Sequence, residues 1–398
     1  MEKIKINILP NLFLNPDGTF DKERAINLCG KIAGVCYDKE GFSHLEKEPL
    51  EKTNNRIKMT LNNGHHSVYD HISISFNCQN IPKILAMILN NEHQYTTSEK
   101  SARYTPIQRN SDSVITELEE TLYNKWIDIF KNKITIKYGN VYDNSKIQKL
   151  AQENARYLVT VFMPTQMIYT TSLRQINYIV SFMKKFIKEA DLTKKFNEKL
   201  IKSMQLFIVE LKKLNVLEDG LLKNEKNRML SLFGKNLNSK KDIFKDVYST
   251  TYKGSFAQLA QAQRHRTIDY QIELMDKLEY FIPPIIEDDK LLVKEWLNDM
   301  EKVKDVIPQG EKIIINEIGK YDDFILKCKE RLCTAAQLEI MSQTNKTLLK
   351  YEKFLKKSKS PLADDIKQYS YGARCTFKGY KCSSDCGFQE GKTLKRKI

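Results

Sequence analysis

One order of patterns occurs twice in this chain of 398 residues, and it limits the fold more than any single motif does. In residues 71–79 (HISISFNCQ), Ile72, Ile74 and Phe76 alternate with Ser73, Ser75 and Asn77, the period-two pattern of a strand with one buried and one polar face. Pro82 then opens a short helical run, 82–91. Residues 247–265 (VYSTTYKGSFAQLAQAQRH) repeat that order, matching 69–93, and predict a weak internal duplication of an α+β unit. Further helices are expected at 22–40, at 50–64 before the Asn62-Asn63-Gly64 stop, at 114–134 and at 145–163. After Arg174 the chain reads as almost continuously helical to Leu214, with Ile201, Met204, Ile208 and Leu211 at spacings of three and four. A helix with Ile340 and Leu348 closes the second copy. The Lys-, Asn- and Asp-rich stretch with Gly220 and Gly234 reads as a connector. The expected division is 1–215, a connector at 216–240, 241–358, and a basic Cys-containing tail at 359–398.

Composition narrows the class. With 41% hydrophobic and 29% charged residues the chain is an ordered globular protein. No apolar run approaches the roughly 20 residues that cross a bilayer, and the N-terminus has no signal-peptide core, so a soluble cytoplasmic protein is expected. The balance of 65 Lys and Arg against 50 Asp and Glu, +15, favours anionic partners: nucleotides, phosphates or nucleic acid. A Lys-, Asn- and Ile-rich background explains the same surplus. The eight cysteines are expected to be reduced thiols. In the tail, Cys375, Cys382 and Cys386 have no nearby His and fall one ligand short of a tetrahedral zinc site, so no metal is expected.

Chemistry-bearing residues cluster in three places. Four of the six histidines, His65, His66, His71 and His93, lie close together, and GHHSVYDH at 64–71 is a candidate functional turn leading into the first strand. Arg264 and Arg266 flank His265, and two guanidinium forks so placed suit a phosphate or the carbonyl edge of a base, although exposed Arg pairs are usually solvated. In EKSARY, 99–104, Glu99, Ser101 and Arg103 suit a nucleotide loop or a helix cap.

Taken together, these segments resemble the flavin-dependent thymidylate synthases. GHHSVYDHISISF is similar to the family's Gly-His-x-Ser-x-Phe-Glu-His lead into a strand, and EKSARY to its Glu-x-Ser-x-Arg-Tyr nucleotide loop. The family's Arg-His-Arg triplet is missing from the first half, where Asn91-Glu92-His93-Gln94 stand, and is intact as QAQRHR at 261–266. Asn154-Ala155-Arg156-Tyr157-Leu158 resembles the family's Ala-Arg helix start. Thr165, Thr170, Ser172 and Arg174 match its flavin-contacting strand, with Ser172 where Asn is usual. Arg331 followed by Ala336-Gln337-Leu338-Glu339-Ile340 resembles another family segment, with Leu338 replacing Trp, whereas the first half has Met183 at the Arg position.

The resemblance implies two diverged copies of that fold, each an antiparallel sheet packed with long helices. It implies methylation of dUMP to dTMP with methylenetetrahydrofolate as carbon donor, FAD as redox carrier and NADPH as reductant. Glu99, Ser101, Arg103, Arg156, Gln261, Arg264 and Arg331 would hold dUMP, Ser101 and Arg103 at the phosphate and Arg331 at the uracil. His65, Ser67, Asp70, Ser172, Arg174, Arg264, His265 and Arg266 would face the cofactor, Asp70 being one methylene shorter than the family's Glu. Arg264, Arg331 and His65 are the candidate catalytic groups. A homodimer imitating the family's four-copy assembly is implied, with one FAD and one dUMP per chain. The alternatives are a sister flavoenzyme making a hydroxymethylated pyrimidine nucleotide, a basic single-stranded nucleic-acid binder, which explains the charge but not the motifs, and a pseudoenzyme kept for assembly.

Overall fold

The computed structural model describes residues 3–101, 107, 114–224, 226–383 and 386–398. Two compact units form, Met1–Lys100 with Pro164–Leu230 and Ser101–Met163 with Ser231–Ile398.

In the first unit β1 (Lys5–Ile8), β2 (Ser73–Pro82), β3 (Thr96–Glu99) and β4 (Pro164–Ser172) make an antiparallel sheet in the order β1-β2-β4-β3. The alternation read from β2 sets its faces: Ile74, Phe76 and Cys78 are buried, while Ser73, Ser75 and Asn77 stay at least partly open. Asn80 adopts a left-handed φ of 56° where the β2–β4 register shifts between Cys78 and Ile81. Helix Lys83–Leu89 follows β2 and is buried along its whole length. Helix Leu173–Glu189 follows β4, and Ser172 caps it by accepting the Gln175 N–H at 3.0 Å. The helical run expected to reach Leu214 without a break divides into Leu173–Glu189 and Lys195–Lys213. Between them Asp191 accepts the N–H and hydroxyl of Thr193 at 2.9 and 2.6 Å, a local turn that competes with the helix.

The second unit repeats the plan. Its strands β5 (Ile243–Phe244), β6 (Val247–Ser255), β7 (Asp269–Leu274) and β8 (Lys312–Lys320) are ordered β5-β6-β8-β7. Helix Phe256–Ala262 follows β6 and helix Tyr321–Arg331 follows β8. The α+β class with two like antiparallel sheets is as expected. Helices Glu117–Tyr138, Asn144–Ala155 and Lys290–Lys302 also belong to this unit. Trp126 and Trp296 meet edge to face at 4.8 Å, a contact worth about 0.5–1.5 kcal/mol beyond area burial. The Trp126 indole N–H donates to the buried Asp299 at 3.0 Å.

The stretches read as connector and tail supply core residues. Val216, Leu221 and Leu230 are buried in the first unit, and Leu232, Leu237, Ile366, Phe377 and Ile398 in the second. These apolar residues are scattered among Lys and Asn, so no period marks them in the sequence. Among the described residues no helix is long and apolar enough to cross a membrane.

Candidate functional site

In the first unit the segment 64–71 becomes a turn of 3-10 helix, His66–His71, leading into β2. His65 and Ser67 are exposed on it. His66, not His65, is the buried histidine. Its Nε2 lies 3.0 Å from the Leu61 carbonyl, which can only accept, so Nε2 carries the proton and Nδ1 accepts from the Tyr178 hydroxyl at 2.9 Å. That imidazole locks the turn onto helix Leu173–Glu189. Asp70 at the end of the turn accepts from the Ser172 hydroxyl at 2.5 Å and pairs with Arg174, whose guanidinium lies over the Tyr178 ring at 5.6 Å. Asp70, Ser172 and Arg174 are thus brought together, and they line one cavity of about 440 Å³. Hydroxyls form its floor: Thr96 and Thr170 are cross-strand partners, as are Ser73 and Ser172, and all four line the cavity. Lys226 and Arg228, from the stretch read as a connector, line it too.

Glu99 does not reach this cavity. It ends β3 in an ion pair with Lys83 and accepts the Thr165 hydroxyl at 3.2 Å. Arg103 and Tyr104 lie outside the described residues, and Ser101 is the last described residue before them, half-buried.

The second unit holds the remaining candidates. The turn after helix Phe256–Ala262 carries Arg264 and Arg266 exposed and His265 buried, while Gln261 at the helix end is 4% exposed. Arg331, at the end of helix Tyr321–Arg331, donates Nε–H to Nε2 of His265 at 2.6 Å. Burial, then Arg331, then Lys327 hold the His265 pKa down at about 2. The ring is neutral, with Nε2 as acceptor, and its Nδ1 faces Glu330 at 3.6 Å. Lys327 is in turn paired with the buried Glu317 at 2.7 Å, and Glu317 also accepts from Tyr248 at 3.0 Å and Tyr252 at 2.7 Å. Arg156 opens the 3-10 turn Arg156–Leu158 and is only 3% exposed.

Glu339, three residues after Ala336 in the Arg331 segment, is a functional residue that the sequence motifs do not single out. Its carboxylate accepts the Ser255 N–H at 2.9 Å, the Ser255 hydroxyl at 2.6 Å and the Tyr157 hydroxyl at 2.9 Å. Ser255 caps helix Phe256–Ala262, so Glu339 fixes the start of the element that ends in Gln261 and the Arg-His-Arg turn. Burial pushes the Glu339 pKa up against these bonds.

The two units match position by position here. Helices Lys83–Leu89 and Phe256–Ala262 each have seven residues, and Asn91, Glu92 and His93 stand after the first where Arg264, His265 and Arg266 stand after the second. Met183 is the eleventh residue of its helix, as Arg331 is of its own, and Met183 is fully buried.

Residues 20–185 match the family model of the thymidylate synthase complementing protein. The flavin-dependent thymidylate synthase of Pyrococcus furiosus is 23% identical over 145 residues, which cover 35% of this chain and 56% of that relative. The flavin-dependent thymidylate synthase of Clostridium tetani is 24% identical over 159 residues, covering 36% of this chain and 64% of the relative. The chain spans less than two thirds of either relative. These matches bear out the resemblance read from the motifs.

Proposed function

From the match of residues 20–185 to the thymidylate synthase complementing protein family, we propose that this chain is a flavin-dependent thymidylate synthase that methylates dUMP, with methylenetetrahydrofolate and NADPH as co-substrates. That match is the observation that carries the reading. The cavity of the first unit fits a flavin nucleotide, because its hydroxyl floor and cationic wall suit a phosphate-bearing ligand with polar ring edges. Asp70, Ser172 and Arg174 would hold that group there, with His65 and Ser67 on the adjoining turn and the exposed Arg264 and Arg266, though not the buried His265, as further cofactor contacts. Bound flavin would supply the redox chemistry that no side chain provides.

The chain's own residues have electrostatic tasks. A guanidinium stays charged and presents a planar fork, so Arg331 is assigned to the carbonyl edge of the uracil, where negative charge develops. His265 acts through Arg331: a neutral imidazole accepting at Nε2 fixes the guanidinium plane without competing for its charge. The exposed Arg264 is assigned to the substrate and flavin, and Glu99, Ser101, Arg103, Arg156 and Gln261 to dUMP, with Gln261 held by the Glu339–Ser255 cap. Two chains are proposed to pair, so that each nucleotide meets residues of both.

Chromatography of a reaction containing the chain, FAD, NADPH, methylenetetrahydrofolate and dUMP tests the assignment. Formation of dTMP supports it. A hydroxymethylated nucleotide would move the chain to a sister activity, and unchanged dUMP with FAD bound would remove the enzyme reading.

A further inference from the structure

The stretch 216–240 reads as a spacer, yet it places two cations on the cavity of the first unit. Lys226 and Arg228 line that cavity with Arg174, and Asp70 is the one carboxylate among its lining residues. Arg228 is held from two sides: its guanidinium lies 4.2 Å over the Phe182 ring, and Nη2 donates to Glu92 at 2.6 Å. Glu92 is fully buried at the turn position where the second unit has His265 of its Arg-His-Arg triplet. Left alone, a buried carboxylate there would repel an anion. Paired with Arg228 it instead anchors a guanidinium at a turn whose own sequence has lost both arginines. The second pair on the wall, Arg174 with Asp70, is also neutral overall. Lys226 is exposed, with its Nζ 5.7 Å from the Tyr178 ring, and adds the surplus positive charge.

We propose that Lys226 and Arg228 complete a diphosphate-binding site in the first unit, with Arg174 and the hydroxyls of Thr96 and Thr170. The first half therefore keeps an anion site despite its missing triplet, because the segment after the last helix of the unit supplies a guanidinium fork and one surplus positive charge. The inference rests on the flavin reading only for the identity of the natural ligand, a dinucleotide cofactor. The site itself follows from the cavity and its cations.

Calorimetric titration with inorganic pyrophosphate, and separately with FAD and with riboflavin, tests this on the full chain. Lys226→Glu changes an exposed residue, so folding is kept. Arg228→Gln is made together with Glu92→Gln, so that no buried carboxylate is left unpaired. The expected result is pyrophosphate and FAD binding weakened about tenfold or more in both variants, with riboflavin unaffected. Pyrophosphate binding that depends on these residues, without any FAD uptake, would uphold the anion site and sink the flavin reading. FAD uptake unchanged in both variants, or no pyrophosphate binding by the unaltered chain, would overturn the inference and leave the flavin reading standing or falling by its own test.

Discussion

Arg331 donates Nε–H to Nε2 of His265 at 2.6 Å, which joins the end of helix Tyr321–Arg331 to the turn after helix Phe256–Ala262. The first unit has Met183 and Glu92 at these two positions and cannot make this bond. Arg331→Ala is expected to weaken dUMP binding to the FAD-loaded chain about tenfold or more, since a charge-assisted contact contributes on the order of 1.5–3 kcal/mol. His265→Gln, which keeps an acceptor, is expected to retain more affinity than His265→Ala. Calorimetry with dUMP checks both, and an Arg331→Ala affinity equal to that of the unaltered chain would mean that Arg331 does not touch the nucleotide.

The buried His265 also ties stability to acid. Its folded pKa of about 2 lies below the unfolded value of 6.5, so below pH 6.5 the unfolded chain takes up a proton that the folded chain refuses. Its contribution is fully present above pH 6.5 and is lost as pH falls toward 2, at up to about 1.4 kcal/mol per pH unit. Urea unfolding between pH 7 and 5 is expected to show a shallower loss in His265→Gln than in the unaltered chain. Parallel curves would contradict the neutral ring.

Glu311 has the opposite sign. Burial raises its pKa from 4.5 to about 7, so its stabilising state is protonated: full below pH 4.5, lost as pH rises through 7. Glu311→Gln is expected to stabilise the chain at pH 8 by on the order of 2–3 kcal/mol and to leave it unchanged near pH 4. Thermal unfolding at the two pH values measures this, and a variant no more stable at pH 8 would show that the carboxylate is ionised and solvated.

Much of this was legible because it is local. The β2 alternation, the short helix after Pro82 and the strand-then-helix order within 247–265 follow from neighbouring residues, and they appear in the expected places, the first helix shorter than the expected 82–91. Non-local features were not legible. In GHH nothing in the spacing tells which histidine turns inward, since His66 is chosen by Tyr178 and the Leu61 carbonyl. Lys226 and Arg228 lie in the Lys-rich stretch that reads as a connector, and only packing against Phe182 and Glu92 brings Arg228 to a cavity. Glu339 lies in a motif-bearing segment, but its partner Ser255 is 84 residues away.

Thiol reactivity should follow burial. Cys29 and Cys78 are fully buried, with burial pushing each thiol up to about 12, and Cys328 is raised by the same cause. Cys36 and Cys382 are exposed. A disulfide reagent on the native chain is expected to modify Cys36 and Cys382 first and the three buried thiols only on unfolding. Cys36→Ser with Cys382→Ser is expected to leave turnover unchanged. Loss of turnover with flavin retained would point to covalent cysteine chemistry instead.

The most direct test of flavin dependence is the visible spectrum of the purified chain during titration with FAD, before and after dUMP is added. The expected result is a yellow protein that saturates at one FAD per chain, with flavin bands that shift when dUMP binds beside the ring. A colourless protein that takes up no added FAD would contradict the proposal.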